Sequence, residues 1–212
     1  MSRFSDWNLA KLEKQFQLTQ CDTMPALTHW VDNQVAASDF ERKSLQSYQE
    51  TVRYNILHWN ETELSMNFIG PILQLIKFEG QKFNLFAQRP LSGIVSGTKL
   101  SGRPDGIIAY GRREPEVPYF CLQEYKPEKD PEGDPVAQCL AAMLVAQELN
   151  QHQYPVYGCY VLGRNWFFMT LKERDYAISP AYDVTQDGIF EVFALLKGLR
   201  VMIEQWVNKM AQ

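Results

Sequence analysis

Cysteine and histidine are scarce in this chain and widely scattered. The four cysteines, Cys21, Cys121, Cys139 and Cys159, form no Cys-x-x-Cys pair, and the three histidines do not cluster. Neither a zinc site nor a disulfide framework is expected from that spacing. Any bound metal has to be held by oxygen, which favours a hard ion such as Mg2+ or Mn2+. Long apolar runs are missing too. The longest, Val136 to Ala146, is interrupted by Gln138 and falls well short of the ~20 residues a membrane span needs. The opening residues, MSRFSDWNLAKLEKQF, contain no apolar leader core, so the expected location is cytoplasmic. Positive charge is not in excess, since 21 Lys and Arg face 25 Asp and Glu, for a net charge of -4. That balance argues against phosphate binding by the surface as a whole, and a nucleic-acid role would require a local basic patch. No G-x-x-x-x-G-K-[ST] run occurs, so an ATP-driven motor is not expected within these residues.

A hydrophobic content of 45% over 212 residues suits one ordinary core with a helical extension. Residues 1–57 read as helices. Leu9, Leu12 and Phe16, then Leu27, Trp30, Val31 and Val35, recur at helical spacing, and Ser38 with Glu41 is a capping-box signature for a long third helix. Asn60 caps a further helix through Phe68 that places Glu61, Leu64 and Phe68 on one face and turns Glu63 away. Pro71 leaves the stretch 72–78 either kinked or a second short helix. The chain then changes to β-type runs at 83–88, 103–110 and 119–126, read as three consecutive, mostly antiparallel strands. Asp134 followed by Pro135 opens a helix to about Asn150 that is apolar nearly all round and hence buried on most sides. Two strands joined by a tight turn, 156–162 and 166–171, and an amphipathic C-terminal helix from Ile189 to Met210 complete the expectation. The predicted class is α/β with a mixed sheet in the order α-β-β-β-α-β.

Chemistry concentrates in two short segments. Arg103-Pro104-Asp105-Gly106 opens one apolar strand, and Glu124-Tyr125-Lys126 ends the next. Alternation along a strand predicts that Phe120, Leu122, Glu124 and Lys126 share a face, so two charges follow directly on a buried stripe. Such charges need partners, and a divalent cation between Asp105 and Glu124 is one physical solution. A salt-bridged sheet edge is the plainer one. Gln138 stands between a site residue and a satisfied core amide. Arg103, Arg112, Arg113, Lys129 and Arg164 are candidate phosphate contacts, with solvated surface cations as the alternative. Trp166, Phe167 and Phe168 are expected in the core.

The Pro-Asp and Glu-x-Lys pairs in this element order resemble the PD-(D/E)XK phosphodiesterase superfamily. More narrowly, Asn60-Glu61-Thr62-Glu63 followed by Phe68-Ile69-Gly70-Pro71-Ile72-Leu73 is similar to the N-terminal nuclease domain of type I restriction R subunits. The resemblance covers roughly Asn60 to Leu171. It implies a restriction-endonuclease-like core over 58–212, with 1–57 as an extension packed on it, and a Mg2+- or Mn2+-dependent nuclease acting on DNA. Asp105, Glu124 and Glu61 would be metal ligands, Lys126 would handle the attacking water, and Gln138 matches a glutamine that some recombination-type members carry after the lysine strand. Separate motor or specificity proteins, or a second subunit, would be its partners. The family's residue between acid and lysine is small or aliphatic, whereas here it is Tyr125. A noncatalytic module binding nucleic acid or protein on the same fold is the rival expectation.

Overall fold

The computed structural model describes residues 2–129 and 131–210. Met1 of the expected extension, Asp130 of the loop before Asp134, and 211–212 at the end of the expected core lie outside them. In chain order the elements are β1 (Ser2–Arg3), a 3-10 turn (Phe4–Asp6), α1 (Leu9–Phe16), β2 (Thr19–Gln20), α2 (Pro25–Asp32), α3 (Asp39–Asn55), α4 (Glu61–Leu64), a π-helical turn (Ser65–Ile69) and α5 (Gly70–Ile76). There follow β3 (Phe83–Ala87), β4 (Leu91–Val95), β5 (Thr98–Gly102), β6 (Gly106–Tyr110), β7 (Glu116–Lys126), α6 (Pro135–Leu149), β8 (Val156–Leu162), β9 (Asn165–Lys172), β10 (Asp175–Ile178), β11 (Tyr182–Asp183) and α7 (Gly188–Met210).

A mixed sheet runs β2-β10-β9-β8-β7-β6-β3, with β11 paired to β9. β3, β6 and β7 are antiparallel neighbours, whereas β7 and β8 are parallel. A parallel pair cannot be joined by a hairpin and needs a crossover, which α6 supplies. One face of the sheet packs on α2, α3, the α4–α5 helix and α7, with Trp30, Phe68, Trp166, Phe168 and Phe193 in that core. Trp30 meets Tyr157 and Phe168 edge to face and donates its indole N–H to the Leu195 carbonyl at 2.8 Å. The other face carries α6 and α1. A second, three-stranded sheet, β1-β5-β4, lies on the far side of α6, which is why that helix is apolar nearly all round. Gly93 in β4 permits the approach, for an added Cβ would stand 2.9 Å from Val145 Cγ1.

Several sequence expectations need correction. The β4–β5 hairpin lies inside the stretch read as three strands, and it turns through Ser96 (φ 45°) and Gly97 (φ 81°), both in the left-handed region that a two-residue type I′ turn requires. The strand expected at 103–110 begins only at Gly106, since Pro104 has no N–H for a ladder. Phe120 does not share a face with Leu122, Glu124 and Lys126. The β6–β7 register slips at Ile108/Ala109, where Ala109 pairs with Tyr119 and Ile108 with Cys121. Phe120 is the extra residue of that bulge and packs on the opposite face, where it stacks on Trp206. Pro71 neither ends the helix nor forms a separate one: the π-helical turn before it lets the Gly70 N–H reach Ser65 O, and α5 continues to Ile76. The long third helix starts at the Ser38–Glu41 capping box as expected, whereas α2 ends at Asp32 and leaves Val35, expected in it, outside; this segment also contributes β1 and β2 as edge strands of the two sheets. Among the described residues no helix is long and apolar enough to cross a membrane.

Candidate metal-carboxylate site

β7 and β8 run parallel and end together at Lys126 and Leu162, at the same end of the sheet as the start of β6 and the N-terminus of α6. Four charged groups converge there. Lys126 Nζ lies 2.9 Å from Glu61 Oε2 and 3.0 Å from Glu124 Oε1. Glu124 and Lys126, two residues apart on β7, share a strand face, and Glu61 reaches the ammonium from the start of α4. Glu63 is occupied elsewhere, because its carboxylate and the Asn60 side chain close a reciprocal capping box, each bond 2.9 Å. Glu61 does not enter the core as its helical phase suggested. Its side chain remains 42% exposed at the end of the strands, where Lys126 meets it.

Asp105 sits on the Pro104–Gly106 bend before β6. Its Oδ2 accepts the Tyr125 backbone N–H at 2.7 Å, so the peptide between Glu124 and Lys126 fixes the carboxylate. The Asp105 carbonyl accepts the Gln88 N–H at 3.2 Å. Gly106 must lack a side chain, because an added Cβ would overlap that of Gln123, its partner across the ladder. Tyr125, bulky where the resemblance led one to expect a small or aliphatic residue, turns away from the charged groups into the opposite core, where its hydroxyl donates to Gln123 Oε1. A pocket of about 130 Å³ opens beside Asp105 and Glu61, and a larger groove of about 570 Å³ reaches Glu124. Gln138, one turn into α6, is half-buried and lines that groove. Among the described residues no hydrogen bond joins it to Lys126 or the carboxylates.

The electrostatics follow from burial. Desolvation, reinforced by the Asp105 charge, pushes the Glu124 carboxyl up to about 7 despite the neighbouring ammonium. Asp105 is also raised, mainly by desolvation, with the Tyr125 N–H opposing. For Lys126 burial pulls downward, but the Glu124 charge and the two carboxylate hydrogen bonds outweigh it, so the ammonium is held more firmly than in water. With all groups ionised, three carboxylates against one ammonium leave a net double negative charge. The donors are all hard oxygen, and a divalent cation would relieve the repulsion that raises Glu124, so the residues present fit Mg2+ or Mn2+. Among the described residues no group of three or more His, Cys, Asp or Glu side chains stands ready-made around a metal position.

The basic candidates separate. Arg103 lines the groove beside Glu124, its Nη1 3.3 Å from the Gln88 carbonyl. Arg164 is tied to Glu128 by its backbone N–H and its Nε, each at 2.9 Å. Arg112 and Arg113 follow the far end of β6, roughly 17 Å from Asp105 at about 3.4 Å per residue. Lys129 is exposed in the loop before α6. Trp166 and Phe168 are core residues, and Phe167 stacks on Tyr160 with centroids 4.5 Å apart. Sequence reasoning missed Arg3, which joins the groove through β1, and Gln88, which contacts Asp105; two-residue strands and lone loop amides carry no periodic signal. No family model matches this chain, and no curated protein matches it.

Proposed function

We propose that this chain is a Mg2+- or Mn2+-dependent nuclease of the PD-(D/E)XK kind that hydrolyses phosphodiester bonds in DNA, in restriction, defence or repair. The observation that carries the reading is the clasp of Lys126 by Glu61 and Glu124, with Asp105 anchored on the peptide between Glu124 and Lys126. The element order supports it: the α4–α5 helix, β3, β6, β7, α6 and β8 follow the expected α-β-β-β-α-β succession, with the β4–β5 hairpin inserted. On this reading 58–212 are the restriction-endonuclease-like domain and 1–57 its extension.

When bound, a hard divalent cation neutralises charge on the phosphate and lowers the pKa of water. Asp105 and Glu124 would hold it, and Glu61 would support it from α4. Lys126 donates hydrogen bonds to the attacking water or to a phosphate oxygen, and its raised pKa keeps it protonated for that task. In the reaction the water oxygen bonds to phosphorus and gives up one proton to solvent, one ester P–O bond breaks, and the leaving oxygen takes up a proton from solvent.

The same clasp also favours a second reading. An ammonium held by two carboxylates can serve as a strut, with the chain acting as a binding module that does not cleave. Purified protein incubated with plasmid, single-stranded DNA and RNA in Mg2+ or Mn2+ separates the two. Cleavage that disappears in Asp105→Ala and in Lys126→Ala supports the nuclease. Cleavage that survives both substitutions places the chemistry elsewhere, and no cleavage of any substrate leaves the binding module.

A further inference from the structure

The groove of about 570 Å³ at the open end of the β4–β5 hairpin runs to Glu124 and Gln138. Across the three-stranded sheet, Arg3 pairs with Ser101 and Ser101 with Ser92. Paired residues present their side chains on one face, so the row Arg3–Ser101–Ser92 forms a polar rim on the side turned away from α6. Arg103 continues it two residues beyond Ser101. Each guanidinium carries five donors. Among the described residues Arg103 engages one of them, at 3.3 Å, and Arg3 makes no side-chain ion pair. In a chain of net charge -4, two arginines with donors to spare beside a carboxylate site supply the local positive charge that phosphate contacts require, and the one carboxylate hydrogen-bonded to Arg3, that of Asp6, takes its backbone N–H at 2.7 Å and not its guanidinium.

We propose that this groove binds the sugar-phosphate backbone of a single polynucleotide strand, with Arg3 and Arg103 on successive phosphates and Ser92 and Ser101 as neutral donors, and leads the strand to Glu124. The inference rests on the nuclease reading of the neighbouring site and names its substrate path. A single strand is favoured by size. The groove matches cavities that hold one small organic ligand, room for a nucleotide or two, while the major groove alone of B-form DNA is about 12 Å wide.

The test is fluorescence anisotropy with a labelled oligothymidylate of about 16 nucleotides and with a duplex of the same length, in Ca2+, across a salt series. Wild type is compared with an Arg3→Ala/Arg103→Ala pair and an Arg112→Ala/Arg113→Ala pair, each checked for unchanged circular dichroism. The expected result is at least tenfold weaker oligothymidylate binding for the first pair, with a salt slope shallower by about 1.4, or ~0.7 for each phosphate no longer engaged, and little change for the second. Equal effects from the two pairs, no effect from the first, loss confined to the duplex, or a wild type that binds no strand would each overturn the groove assignment. Cleavage separates this from the parent reading: a wild type that binds the strand through Arg3 and Arg103 but never cleaves sinks the nuclease and leaves the groove standing, and cleavage that is lost in Lys126→Ala but unchanged in Arg3→Ala/Arg103→Ala does the reverse.

Discussion

Lys126 and Glu124 show how two side chains on one strand set each other's ionisation. Replacing Lys126 with methionine keeps the aliphatic stem but removes the charge shared by Glu61 and Glu124, so single-turnover cleavage should fall by about 100-fold or more, while stabilisation by Mn2+ persists in a thermal melt. Glu124 gives a pH-dependent consequence. Its folded pKa, about 7 against an ordinary 4.5, means that the native state holds this proton more tightly than the unfolded chain. The associated stability is present below about 4.5 and is lost as pH rises through about 7. Glu124→Gln, which stays neutral, should therefore gain stability relative to wild type between about pH 5 and about pH 8 in urea melts without metal; a difference that stays flat with pH would contradict the burial argument. Cation affinity of the wild type should rise over the same interval, because the ligand must first ionise. Tyr125→Phe should cost about 1–3 kcal/mol by leaving the buried Gln123 oxygen without its donor, with cleavage unchanged, since that ring points away from the carboxylates.

At the scale of helices and strands, legibility followed the strength of the local signal. Caps were readable because they rest on a few neighbouring residues: Ser38 with Glu41, Asn60 before Glu61, and Asp134 before Pro135 all sit where the sequence put them, while the reciprocal bond of Glu63 to Asn60 was not foreseen. Asp134 does more than local reasoning foresaw. One carboxylate oxygen caps α6 at Ala137 (3.0 Å), and the other accepts the Leu9 N–H of α1 at 2.9 Å. Asp134→Ala should thus exceed the ~1 kcal/mol of an ordinary cap and reach about 2 kcal/mol, read as a lower urea midpoint at constant slope. The bulge at Phe120 and the π-helical turn before Pro71 each insert one residue into a periodic pattern, and periodicity cannot show where an insertion falls. The β4–β5 hairpin did leave a trace, the Ser96-Gly97 pair between the β-branched Val95 and Thr98, which two-residue turn chemistry could have identified. Glu124 and Lys126 were legible as a pair because residues two apart on a strand share a face, whereas Asp105 and Glu61 were joined to them by the resemblance alone, and helical phase aimed Glu61 into the core instead of at the ammonium. Gln138 was placed only to the level of its helix.

Across the whole molecule, a cation that binds only the folded form stabilises it by about 2.7 kcal/mol at a hundredfold excess over its dissociation constant. Mn2+ should therefore raise the melting temperature of wild type, EDTA should return it, and Asp105→Asn should abolish the response. The pairings that close the sheets were illegible, because β1 and β2 are two residues each and find partners about a hundred or more positions away. Those distant pairings also order events in time. During synthesis Ser2 and Arg3 can pair once β5 has emerged, but Thr19 and Gln20 have no strand to join until Asp175 and Tyr176 are made, and Trp30 of α2 stays uncovered until Phe168 and Leu195 arrive. Contacts of such long separation make folding slow, and the nascent chain should depend on chaperones in proportion to that delay.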